Sequence, residues 1–399
     1  MTGGSGPMIA GIVAEYNPFH NGHQYQLERI RRLGASHIAV VMSGNYTQRG
    51  EPALLDKWSR AKAAVLCGAD LVAELPTPYA TAPAADFAFS SVYLLSQLGI
   101  DTLCFGSECG DIELLSRAAA ACQAAEENPT IKALLKSGFS YPRAREALVA
   151  DSGNPELVPI IRQPNNMLGI EYLRAIWTVN PTIRPLTIRR IGAEHDSPLA
   201  HSHFASASFL RQMIRTQGLP RASGLLPEAV REILDEEVTA GRAVLSDEPY
   251  SRLLLSTLRR AGPEDLRTLR GITEGLEHRI LHAAQDANSA KTLLEAISTK
   301  RYSNARLRRA LLTCLLGIKQ TGKRPQYVRI LACNSRGMDL LGRVRKSAEI
   351  PITPKFAQLA KSGFSDALFE QHATGLYATL GEAIQSGRQE YTRRPFIIE

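Results

Sequence analysis

His20 and His23 flank a glycine in the run Glu15-Tyr16-Asn17-Pro18-Phe19-His20-Asn21-Gly22-His23. An apolar stretch, 8–14, precedes it, and a pattern of helical spacing follows. Strand, proline turn and helix start therefore come in succession. Residues three apart lie on one face of a first helical turn. Free N–H groups and the positive end of the macrodipole make that turn a phosphate site. Two imidazoles there can donate hydrogen bonds to phosphate oxygens whose charge grows in a transition state. Gly22 leaves the backbone open to a flat base or ribose. The plainer reading is two polar surface histidines at a helix start.

Other candidates lie at strand ends and helix starts. Gly106, in Phe105-Gly106-Ser107-Glu108, follows a strand, where ligands of open α/β sheets bind. Asn165 and Asn166 carry the donors and acceptors to position a nucleotide, or simply cap a helix. Arg189 and Arg190 follow a strand, and Arg190 is the better phosphate or ribose contact. Lys57 and Arg60, beside Gln48-Arg49-Gly50-Glu51, suit phosphate contacts, or equally helix-start ion pairs. The run 317–324 imitates a phosphate-binding loop of the G-x-x-x-x-G-K type. It lacks the hydroxyl after Lys323, and a helix rather than a strand precedes it, so it is rejected.

The elements that must position these residues alternate. Strands are expected over 8–14, 37–42, 71–75, 101–105 and 187–191, and helices over 21–33, 57–67, 86–98 and 169–177. That order implies an α/β fold with a parallel sheet covered on both faces. From about 206 to 318 the periodicity is helical. A strand over 327–332, a helix over 337–346 and a short strand over 350–353 then suggest a small α/β unit. The boundary is expected near Gly218-Leu219-Pro220, dividing a tail (1–7) and an N-terminal domain (8–217) from a mainly helical C-terminal domain (218–399).

At 399 residues, 44% hydrophobic and 22% charged, the chain can bury a core without metal or disulfide staples. No apolar run reaches the ~18 residues of a membrane span, and no secretory signal opens the chain. Six cysteines without a C-x-x-C pair fit reduced thiols in a cytoplasmic protein. The net charge of +8 is concentrated. Between 300 and 346, thirteen Lys and Arg stand against one acid, Asp339, and the remainder of the chain is net negative. Such a block, including Lys300, Arg301, Arg306, Arg308, Arg309, Lys323 and Arg324, predicts a polyanion-binding face or a solvated helix surface.

These motifs together resemble one family. EYNPFHNGH at 15–23 resembles the signature of HIGH-type nucleotidyltransferases, and more closely that of the bacterial tRNA(Met) cytidine acetate ligases. MSGNYTQRGEPALLDKWSRAKAA at 42–64, GADLVAELP at 68–76, LCFGSE at 103–108 and QPNNMLGIEYL at 163–173 continue the resemblance. IRRIGAEHD at 188–196, ASASFLR at 205–211 and TKRYSNARLRR at 299–309 complete it. The resemblance implies ATP and acetate as substrates, an acetyl-adenylate intermediate, and acetylation of N4 of the wobble cytidine (C34) of elongator tRNA(Met). Magnesium is expected with ATP.

It also implies roles. His20, His23, Ser206 and Arg211 would be catalytic. ATP would be held by Val13, Ala14, Glu15, Tyr16, Asn17, Pro18, Phe19, His20, Asn21, Gly22 and His23, with Gly106, Asn165, Asn166, Arg189, Arg190, Ser206 and Ser208. Ser208 stands where the family usually has Thr, keeping the hydroxyl, and Glu194 stands where the family has Tyr. Apart from the resemblance, the place of Glu15 just after the first strand would let it position metal-bound water or the incoming amine. The C-terminal basic residues named above would bind tRNA, without a membrane or a dedicated metal site. The rival readings are an adenylyltransferase of a small phosphorylated metabolite and a noncatalytic RNA-binding protein.

Overall fold

The computed structural model describes residues 7–190, 204–273, 275–299 and 302–399. All but Pro7 of the expected tail, and also Lys300, Arg301 and Glu194, lie outside the described residues. Among the described residues eight strands form one sheet: β1 (Met8–Ala14), β2 (Ala35–Ser43), β3 (Leu71–Leu75), β4 (Thr102–Ser107), β5 (Arg184–Arg189), β6 (Val328–Cys333), β7 (Ile352–Thr353) and β8 (Phe396–Ile397). Their order is β5-β4-β1-β2-β3-β6-β7, with β8 also paired to β6. β1 to β5 are mutually parallel, as expected.

Helices α1 (Asn21–Arg32) and α2 (Lys57–Leu66) follow β1 and β2. Helix α3 (Ala84–Gln97) carries the chain from β3 across to β4, and α4 (Ile112–Glu127) and α5 (Pro164–Val179) lie between β4 and β5. Helices α6 (Ala207–Gln217) and α7 (Glu228–Thr239) come next. Period-two alternation sorts the strands' side chains between two cores. Ala10, Ile12, Ile38 and Val40 join Leu27, Ile30, Ala61 and Leu210 on one face. Ala39, Val41 and Leu71 join Phe87, Leu94, Leu115 and Ile170 on the other. Each fully buried Leu, Ile or Phe contributes about 1.5–3 kcal/mol. The sequence leaves β1 toward β2 and returns on its other side as β4, so a switch point opens between β1 and β4.

A third, helical core is built by α8 (Glu248–Arg260), α9 (Leu276–Asp286), α10 (Ala290–Ile297), α11 (Asn304–Leu316) and, after α12 (Ser335–Val344), α13 (Ser365–Tyr377). The expected small α/β unit is β6-α12-β7, with β6 and β7 parallel. It does not stand apart. β6 pairs antiparallel with β3, so the N-terminal sheet runs on into the C-terminal half. Every residue of β6 is buried, and an open β3 edge would leave backbone groups unpaired.

A buried ion cluster marks that seam. Lys57 Nζ lies 2.6 Å from Glu390 Oε1 and 3.3 Å from Glu370 Oε2, and also bonds Glu74. Arg329 bonds Glu390 and lies 3.3 Å from Glu74. Burial opposes the Lys57 charge, but Glu390, Glu74 and Glu370 outweigh it and raise its pKa. Burial and the neighbouring Glu74 push Glu370 up to about 8. The ion-pair alternative therefore describes Lys57. Arg60 is likewise buried, donating to the carbonyls of Glu15, Ser43, Gly44 and Leu55.

Candidate active site

His20 is the extended N-cap of α1, and its Nδ1 accepts the Gly22 N–H at 3.1 Å. His23 Nδ1 accepts the His20 N–H at 3.2 Å, closing a reciprocal cap. The two rings stack with centroids 3.7 Å apart. A neutral ring that accepts at Nδ1 keeps its proton on Nε2. Burial, then the charge of Arg190, pulls His20 down to about 3. Burial, His20 and Arg190 hold His23 well below its ordinary value. The pair is thus two neutral Nε2–H donors. A Cβ on Gly22 would stand 3.0 Å from the His20 ring. Gly22 makes room for that ring, where the sequence suggested room for a base.

The residues just before the pair form its foundation. Tyr16, Asn17, Pro18 and Phe19 are buried, and Tyr16 holds a left-handed φ of 47°. The Tyr16 and Phe19 rings pack on His23 at 4.9 and 5.4 Å. Asn17 Oδ1 accepts the Leu54 N–H at 2.7 Å. Val13, Ala14 and Glu15 are half-buried at the end of β1. Asn21 reaches the Gly224 carbonyl at 3.1 Å.

A cleft of about 220 Å³ opens beside the histidines, at the β1/β4 switch point. His20, Gly22, His23, Gly106, Asn165, Arg189, Arg190 and Ser206 line it, so eight predicted residues from five separate segments converge. Tyr25, Gln26, Glu108, Ile188, Phe204 and Ala205 complete the lining and were not singled out from sequence. Gln26 was discoverable, because it lies one turn beyond Gly22 and His23 on α1. Arg190 crosses over Gly106, where a Cβ would meet its side chain at 3.3 Å.

Glu108 organises the far wall. Its Oε1 accepts from the Asn165 N–H (3.1 Å) and Nδ2 (2.6 Å), and its Oε2 accepts from the Asn166 N–H (2.6 Å). It therefore caps α5 from another strand. Asn166 itself is fully buried beneath the cleft. Its Oδ1 accepts the N–H groups of Glu108 and Cys109, and its Nδ2 donates to Gln163 and the Ile160 carbonyl. Asn165 faces the cleft, and Asn166 does not.

Ser206 caps α6, accepting the Phe209 N–H at 3.2 Å. Ser208 Oγ accepts from Arg49 at 2.7 Å. Arg211 lies behind the cleft, donating to the Asn17 carbonyl (2.7 Å) and Glu51 (2.6 Å). It braces the histidine turn rather than lining the cavity.

The loop Gln48–Glu51 also meets the basic helix α11. Arg309 Nη1 donates to the Gln48 carbonyl at 3.3 Å. Gly50, at φ 80°, packs so tightly on α11 that a Cβ would fall 2.5 Å from the Arg309 nitrogen. Arg306 lies over the Tyr302 ring at 4.4 Å, and Arg308 is exposed. Lys323 pairs with Asp86 at 2.9 Å, and Arg324 covers the Tyr93 ring at 5.4 Å. The basic block is not one face. Arg336 and Arg343 sit on α12, whose N-cap Asn334 bonds the Asp70 carbonyl ahead of β3, at the opposite edge of the sheet.

This fold, with a paired-histidine helix start at its switch point, is that of a HIGH-type nucleotidyltransferase. The HIGH Nucleotidyl Transferase family matches residues 8–392. A tRNA(Met) cytidine acetate ligase of Acetivibrio thermocellus is 38% identical over 98% of this chain and 100% of its own length. One from Caldanaerobacter subterraneus subsp. tengcongensis is 38% identical over 92% and 94%. The apo crystal structure of Thermotoga maritima TmcAL superposes with a TM-score of 0.90 at 32% identity, covering 98% of this chain and 99% of that one. The same protein bound with alpha-thio ATP gives 0.87 at 33%, with the same coverage. The chain belongs to the tRNA(Met) cytidine acetate ligase family.

Proposed function

We propose that the protein is an ATP-dependent ligase that acetylates N4 of the wobble cytidine of elongator tRNA(Met), using acetate by way of acetyl-adenylate. The observation that carries this reading is the convergence of His20, His23, Arg189, Arg190 and Ser206 on one switch-point cleft. In the first step an acetate oxygen attacks the α-phosphorus of ATP and pyrophosphate leaves. Nothing covalent is asked of the protein, so alignment and charge stabilisation carry the catalysis. The Nε2–H groups of His20 and His23, the α1 N-terminus and the two arginines would meet the phosphates. Gly106 and Asn165 would border the nucleoside. Arg211 and Asn166 would keep the cleft in shape from behind.

The second step needs an activated acyl group, because the cytosine amine's lone pair is delocalised into its ring. Residues 218–399 would bind the tRNA, with α11 as the nearest basic element to the site. The wobble base lies in a loop and is presented without breaking a duplex. A metabolite adenylyltransferase would leave the exposed Arg308 and its neighbours on α11 without a task.

Magnesium would accompany the ATP phosphates, but the described residues do not form a site for it. The triad Glu74, Glu370 and Glu390 is filled by the Lys57 ammonium, and both Glu108 oxygens in the cleft accept from Asn165 or Asn166. Among the described residues no helix is long and apolar enough to cross a membrane. The six free cysteines, five of them buried, suit the cytoplasm. Acetate-dependent pyrophosphate release from ATP tests the first step. ATP binding without such release would favour the noncatalytic reading.

A further inference from the structure

Strand order divides the carboxyl edge of the sheet into two sides. β4 and β5 supply Gly106, Glu108, Arg189 and Arg190 to the nucleotide cleft. β2 lies on the opposite side of β1 and leads into the Gln48–Glu51 loop, on which Arg309 of α11 is seated. β1 separates the two, and Glu15 is the first residue beyond its end. Glu15 Oε1 accepts the Gln48 N–H at 2.9 Å. Its Oε2 has no hydrogen-bond partner among the described residues, and the residue as a whole is half-buried. An acyl group carried on a nucleotide in the cleft, and an amine presented from the α11 side, would meet across this interval.

We propose that Glu15 is the general base of the acyl-transfer step, which rests on the ligase reading above. The amine nitrogen attacks the acetyl carbonyl carbon and a C–N bond forms. The bond between that carbon and the adenylate's phosphate oxygen breaks, and AMP leaves with the electron pair. The nitrogen's proton passes to Glu15 Oε2 and then to water.

The surroundings suit the task. Burial raises the Glu15 pKa, while the Gln48 N–H and Arg49 lower it, Glu51 raises it and Arg211 lowers it. Arg60 of α2 holds the Glu15 carbonyl at 2.6 Å, and Tyr172 of α5 lies within electrostatic reach. The balance is a carboxylate more basic than usual, which makes it a better proton acceptor near neutral pH.

The test separates the two steps. Glu15→Gln keeps an acceptor for the Gln48 N–H and removes the proton acceptor. Pyrophosphate release without tRNA, and single-turnover transfer from adenylate formed on the protein to tRNA(Met), are both measured against pH. We expect transfer to slow at least ~100-fold more than release does. The acid-side fall of the wild-type transfer profile should vanish in the variant. Glu15→Asp, which keeps a carboxylate, should recover most of the transfer rate, and it serves if Glu15→Gln does not fold. Equal losses in both steps, or none in transfer, would overturn the assignment. A wild-type protein that releases pyrophosphate but never acetylates tRNA would instead remove the ligase reading.

Discussion

A histidine pair at a solvated helix start would titrate near 6.5 and spend part of neutral pH charged. His20 is buried and His23 half-buried, the rings are stacked and Arg190 is close, so charging either is unfavourable. Neither ring should titrate between pH 5 and 8 when its carbon-bound protons are followed by NMR; a midpoint near 6.5 would contradict the neutral pair. The same shift has a stability consequence. Both pKa values are lower folded than unfolded, so the unfolded chain takes up protons first as pH falls below about 6.5. This pair therefore destabilises the fold progressively from there down toward the His20 value of about 3. His23→Ala should reduce acetate-dependent pyrophosphate release by ~100-fold or more, at a stability cost of about 1 kcal/mol for the lost cap. Full pyrophosphate release from a folded variant would remove His23 from the site. The pair was legible in the sequence because its spacing is local. Glu108 was not, because its partners Asn165 and Asn166 lie 57 and 58 residues away.

Helix α5 illustrates what periodicity can reach at the scale of an element. Apolar spacing predicts a helix from 169, yet α5 starts at Pro164. Its first turn is polar and is capped by Glu108 of a different segment, which no local pattern announces. Strand β3, by contrast, is a short apolar run and occupies the expected 71–75. Asn166 is the hinge of the α5 cap. Asn166→Ala should cost about 2–3 kcal/mol in urea denaturation, because it strands the part-buried N–H groups of Glu108 and Cys109. Unchanged stability with weakened nucleotide binding would mean that Asn166 reads the ligand directly.

Across the whole molecule, alternating strands and helices made the parallel sheet legible, and the change to helical texture marked the C-terminal half. The antiparallel β3–β6 join was hidden, since it pairs segments about 255 residues apart. The buried charges at that join bind α2, β3, β6 and α13 together. Lys57→Met would leave Glu74 and Glu390 facing Arg329 alone and should cost about 3–5 kcal/mol in thermal or urea unfolding. Glu370 adds a pH dependence of definite sign. Folded, it holds its proton up to about 8, whereas unfolded it loses it near its ordinary value of about 4.5. Its contribution is therefore complete at low pH and lost as pH rises through 8. Glu370→Gln should flatten the decline in the urea midpoint between pH 6 and 9, and an unaltered slope would contradict this. The reaction that this continuous sheet serves is read out by incubation with ATP, acetate and elongator tRNA(Met), followed by mass analysis of the tRNA nucleosides. An acetate-dependent acetyl mark on the wobble cytidine, with pyrophosphate released, is the predicted result; ATP binding with neither pyrophosphate nor mark would contradict it.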